Sequence, residues 1–186
     1  MKRNFLLATV MSLFVFAIGV SAQKAPDFSG SWALDVSKSK LGERSSIESQ
    51  MLTVVQTEKD IKITPATKRM APPAGRPPGG GGGGRMGGGG GMGGDMASTY
   101  MLDGKEMTVE MDSPMGKVPV KYTGKWDGGK LVLGSARTFN GPNGEITTTS
   151  KETWSLSADG KTLTVDAEST SPRGTNTTQK VFTKKP

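Results

Sequence analysis

The chain contains no cysteine and no histidine. Without cysteine there is no disulfide framework and no lipid-modified N-terminal cysteine, so stability has to come from a packed core. The two absences together remove a Ser-His-Asp triad, a thiol nucleophile and a histidine metal site. Paired carboxylates remain as acid-base chemistry, but the acids fall mostly at turns or on outward strand positions. The expectation is a protein that is not an enzyme and uses no cofactor. Aromatics are scarce at 6%, which leaves few for an elaborate pocket. A long helical period is also missing, and residues 37–47 offer at most a short helix or loop.

What is present begins with a basic head, Lys2 and Arg3, followed by a mainly apolar run from Phe5 to Val20 that ends in Ser21 and Ala22. This pattern reads as a secretory signal peptide over residues 1–22. The run is too short for the roughly 20 apolar residues of a spanning helix, so a transmembrane anchor is the weaker alternative. Residues 23–186 are then expected to form one domain, periplasmic or secreted and not membrane-spanning after cleavage. That length is enough to bury about two-thirds of the unfolded surface.

Lys and Arg number 24 against 17 acids; without Lys2 and Arg3 the balance is 22 to 17, a net +5. The excess is modest and spread along alternate strand positions, without interleaved aromatics. It is better read as a solvated surface that protects strand edges than as a nucleic-acid site. From Arg69 to Met96 the composition shifts to Pro72, Pro73, Pro77 and Pro78 and then to long glycine runs. Such a tract has little to bury and much backbone entropy to lose, so residues 69–96 are expected to be a disordered loop. Arg76 and Arg85 within it suit RNA poorly in an exported protein, and no nucleic-acid partner is expected.

Elsewhere the apolar residues alternate with polar ones in twos, the period of a half-buried strand. Val118, Val120, Tyr122 and Trp126 share one parity against Lys117, Lys121 and Lys125. Met107, Val109 and Met111 do the same, as do Leu163, Val165 and Ala167, and Trp32, Leu34 and Val36. Asp103-Gly104, Asp127-Gly128, Asp159-Gly160, residues 140–144 and residues 172–174 supply reversals between these runs. One grammar recurs from Tyr100, Trp126 and Trp154: an aromatic, a tight turn, a lysine, then alternating aliphatics. About ten strands result, near 30–36, 49–57, 60–65, 97–102, 106–112, 117–126, 130–139, 145–156, 161–170 and 175–184. The fold class is therefore an all-β antiparallel meander. A long meander with one polar face closes as a barrel or folds as a sandwich, and the barrel, complete or incomplete, is favoured.

Asp27-Phe28-Ser29-Gly30-Ser31-Trp32-Ala33-Leu34 opens the first strand, and its Phe-x-Gly-x-Trp pattern resembles the start of the lipocalin and fatty-acid-binding-protein superfamily, the calycins. Continued through Lys40, it also looks like the opening of secreted bacterial lipocalin-like proteins. The resemblance implies an up-and-down barrel whose closed end is plugged by Trp32. It also implies carriage of a small apolar or amphiphilic molecule.

A barrel of this size can enclose one small ligand. Trp32, Tyr122, Trp126, Leu131, Leu133, Phe139 and Trp154 are then the inward-pointing candidates, with simple core filling as the alternative role. Arg137 and Glu152 stand out because they fall on the apolar parity of their strands. A buried charge is costly unless paired, so the two are expected to meet each other or a ligand, unless a bulge shifts the parity or Arg137 reaches solvent at its strand end. A buried arginine could hold a carboxylate by two parallel hydrogen bonds. A rival reading is a β-scaffold of the cell envelope that presents the glycine-rich loop to a protein partner. The methionines crowded around that loop, from Met70 to Met115, would suit copper(I), a distant third reading; Met107 and Met111 fit the core instead.

Overall fold

The structure is a computed structural model and describes residues 25–42, 45–71, 95–113, 116–141 and 144–186. The expected signal peptide, 1–22, lies outside the described residues, as does most of the expected glycine-rich loop. Ten strands follow in order: β1 (Gly30–Leu34), β2 (Ile47–Gln56), β3 (Asp60–Arg69), β4 (Ser98–Met101), β5 (Met107–Ser113), β6 (Gly116–Asp127), β7 (Lys130–Gly141), β8 (Gly144–Leu156), β9 (Thr162–Ser171) and β10 (Gly174–Lys184).

All ten belong to one antiparallel sheet in the order β4-β3-β2-β1-β10-β9-β8-β7-β6-β5. Every consecutive pair in sequence is also a pair in space, except β4 and β5. The first and last strands join, with Trp32 opposite Lys184 and Leu34 opposite Phe182. The sheet is thus a ring with a single break. At that break β4 packs against β6: the Gly104 amide donates to the Gly124 carbonyl at 2.9 Å, and the Tyr100 and Tyr122 rings meet edge to face at 5.0 Å. The result is a nearly closed barrel.

Chain direction sorts the connections into two ends. The turns after β2, β4, β6 and β8 lie at one end, called the floor below; those after β3, β5, β7 and β9 lie at the other, the rim. The floor is where the apolar parity is strongest. Trp32, Ile61, Leu131, Leu163, Trp154 and Phe182 are each at most 1% exposed. The burial of such side chains is worth roughly 1.5–3 kcal/mol apiece and holds the ring together.

Most strand boundaries shift by one or two residues from the sequence expectation, and two shifts have a visible cause. The first strand ends at Leu34 instead of residue 36, because the Asp35 side chain accepts hydrogen bonds from the Lys38 amide and the Ser37 hydroxyl. That cap starts a 3-10 helix over Val36–Lys38. The third strand runs to Arg69 instead of residue 65, since β2 pairs with it as far as Ile47 opposite Arg69. Arg69 of the expected 69–96 loop is therefore strand. Met70 and Asp95 of that loop are also held: the Met70 amide donates to the Ser46 carbonyl, and the Thr67 amide to the Asp95 carboxylate, both at 2.8 Å.

Candidate ligand-binding site

The inward-facing residues change character along the strands. At the floor, Phe28 folds beneath the barrel just before β1, stacked on Trp126 at 6.1 Å and edge-on to Trp154 at 5.8 Å. Trp32 fixes this plug by donating from Nε1 to the Phe28 carbonyl at 2.8 Å. Gln56 on β2 completes it, accepting from the Phe28 amide and donating to the Pro26 carbonyl, each at 3.0 Å. Gly30 is needed at this point: its φ of +127° disfavours any side chain, and a Cβ would lie 3.0 Å from Lys184 Cε.

Above the floor the walls diverge. On β7 the inward series passes from Leu131 and Leu133 to Ser135 and Arg137; on β8, from Trp154 to Glu152, Ser150 and Thr148. On β9 Leu163 and Val165 give way to Ala167 and Ser169, and on β10 Phe182 gives way to Lys180 and Thr178. On β2 Leu52 gives way to Gln50. Past β7 the wall turns apolar, with Met107 and Met111 of β5 packed against the core beside Val120 and Tyr122 of β6. One side of the upper interior is polar and the other is not.

Lys180 is the most unusual member. It is only 8% exposed, and its Nζ donates to Gln50 Oε1 at 3.1 Å, while Gln50 Nε2 donates to Thr67 Oγ1 at 2.8 Å. Beyond Phe182 the segment after β1 runs beside β10, with the Asp35 amide donating to the Val181 carbonyl and Lys40 paired with Gln179, and the Lys180 side chain reaches inward to Gln50 on β2. Burial pushes the Lys180 pKa down; the nearby Glu152 charge pulls it back up, and Arg69 adds to the lowering. Burial, and then the Glu152 charge, push the Tyr100 hydroxyl up.

Among the residues expected from sequence, Trp32, Tyr122, Leu131, Leu133 and Trp154 are buried at inward positions, while Trp126 and Phe139 are half-buried. Arg137 and Glu152 both keep the inward parity without a bulge, but the register sets Arg137 opposite Thr148 and Glu152 opposite Leu133. Arg137 Nε donates to Thr148 Oγ1 at 3.3 Å, and its guanidinium lies 5.4 Å from the Phe139 ring centre. Glu152 accepts from Trp154 Nε1 at 2.8 Å. Sequence reasoning missed Lys180, Gln50 and Tyr100. Gln50 shares the parity of Leu52 and Val54 and was readable there.

No protein-family profile and no curated protein sequence matches the chain. Among solved structures, zebrafish ileal bile acid-binding protein complexed with cholic acid is similar with a TM-score of 0.47 and 16% identity, covering 85% of this chain and 98% of that chain. A variant of the fluorescent protein UnaG gives 0.46 and 13%, covering 86% and 96%. With similarities at this level, the class rests on the strand order itself. Ten antiparallel strands in one meander, with the first paired to the last, make a nearly closed up-and-down β-barrel.

Proposed function

We propose that the barrel carries a small amphiphile. The observation behind this reading is the divided upper interior: Gln50, Lys180, Ser150, Thr148 and Arg137 make a polar stretch from β2 round to β7, and an apolar stretch of Val120, Met107 and Met111 begins on the neighbouring β6, where Val120 pairs with Arg137. A core meant only to be filled would gain nothing from buried polar groups, each of which costs free energy unless it is hydrogen-bonded. An amphiphile would set its apolar part on Tyr122, Leu133 and the β5–β6 wall, and its polar part among the polar side chains. Phe28, Trp32 and Trp154 would form the closed base under it.

The role is that of a binding protein and not of an enzyme. The signal-like first 22 residues support export, and the same carrier would then work in the periplasm or outside the cell. Among the described residues no helix is long and apolar enough to cross a membrane.

Titration with a panel of amphiphiles, followed by tryptophan fluorescence, tests the reading. Saturable changes are expected for single-chain or ring amphiphiles, weakened at least about tenfold by Leu133→Arg, which would place a further bulky cation in the interior. A flat response across the panel, in protein whose melting is unchanged by any member, would overturn it.

A further inference from the structure

We propose that Lys180 is a covalent docking point for aldehydes, forming a reversible imine with a carbonyl-bearing amphiphile seated inside the barrel; this rests on the carrier reading above. Two observations converge. Lys180 faces inward from β10, between Phe182 toward the floor and Thr178 toward the rim. Among the described residues its Nζ has one hydrogen-bond acceptor, Gln50 Oε1. An ammonium carries three donors, so burial with a single acceptor favours the neutral amine, which is the nucleophile.

The charges around it act in the same sense or compensate one another. Arg69, at the end of β3, disfavours a second positive charge, and Glu152 on β8 favours it. Gln50 and Thr67 bring uncharged polar atoms from β2 and β3. Burial is the largest of these influences, and it lowers the Lys180 pKa from its ordinary 10.5. An exposed lysine is neutral in fewer than about one molecule in a thousand at pH 7, and each pKa unit of lowering raises that fraction about tenfold.

The step balances without any oxidant. The amine lone pair attacks the aldehyde carbon, forming a C–N bond as the carbonyl π bond breaks toward oxygen. Both nitrogen protons leave with that oxygen as water, and a carbon–nitrogen double bond remains. The reverse reaction with water releases the aldehyde. Glu152, whose charge Lys180 already feels, would stabilise the imine when it is protonated.

The test uses the full chain with decanal and sodium cyanoborohydride at pH 7, followed by intact mass and peptide mapping, with decanol binding measured in parallel by tryptophan fluorescence. The expected result is a single reduced decyl adduct at Lys180, at least about tenfold above any other lysine. Lys180→Met and Lys180→Arg should both abolish it, with labelling of the surface lysines unchanged and the β-sheet signal in circular dichroism intact. Decanol binding with adducts spread over surface lysines and none at Lys180 would overturn the covalent proposal and leave carriage standing. If decanol fails to bind as well, both readings fall.

Discussion

Lys180 has a consequence for stability as well as for ligand chemistry. Its pKa is lower in the folded protein than in the unfolded chain, so the unfolded chain binds more protons between the two values. The native state is therefore penalised at neutral pH, and the penalty fades as pH rises toward about 10.5. We expect Lys180→Met to be more stable than wild type at pH 7, with the difference shrinking by pH 9.5 in paired urea melts. Above about pH 10 the raised Tyr100 hydroxyl acts in the opposite direction, since the unfolded tyrosine ionises first and draws the protein toward unfolding. At this scale parity found Trp32, Tyr122, Leu133 and Trp154, because aromatic and aliphatic residues at alternate positions mean one thing. Lys180 escaped it because Val181 is apolar too, so its neighbours blur the alternation on β10. Arg137 and Glu152 were legible as inward charges; only the pairing register, which no local pattern specifies, told what each one touches.

Strands and turns followed the sequence closely where a glycine marks a reversal. Gly104, Gly128, Gly160 and Gly174 all adopt positive φ at such points. The contact that closes the break was not readable, because it joins β4 to β6 across the gap and not along a hairpin. Gly124 makes it feasible: a Cβ there would lie 2.6 Å from the Met101 carbonyl oxygen. Gly124→Val is expected to cost about 1–3 kcal/mol as overpacking, seen as a lower urea midpoint. Gly129→Ala is the matched control. A Cβ at Gly129 meets nothing within 4 Å, and its stability should stay within about 0.5 kcal/mol of wild type. Gln56 offers a third check on the segment before β1. Gln56→Leu removes both the acceptor for the Phe28 amide and the donor to the Pro26 carbonyl. Faster hydrogen exchange at Phe28 and a red-shifted tryptophan emission are expected, with exchange in β7 and β8 unchanged.

The whole molecule poses the question of what the chain between β3 and β4 contributes. Thr67 and Asp95, on either side of it, are already in hydrogen-bond contact. Replacing residues 72–94 with a short glycine-serine linker should therefore leave the melting temperature within about 4 °C. If amphiphile binding also persists but capture of an envelope partner is lost, the segment serves interaction and the barrel serves carriage. The sequence alone left barrel and sandwich open because closure depends on β1 meeting β10, a pairing between opposite ends of the chain that hairpin signals do not reach. That same pairing sets the order of events during synthesis. A ribosome releases β1 to β4 and β5 to β9 as two separate meanders before β10, the strand that joins β9 to β1, exists, so the sheet is completed only after Lys184 emerges. Such distant pairing raises contact order and slows folding. The newly made chain consequently has a late, single commitment to its native form, and until then its unpaired strand edges stay open to chaperones.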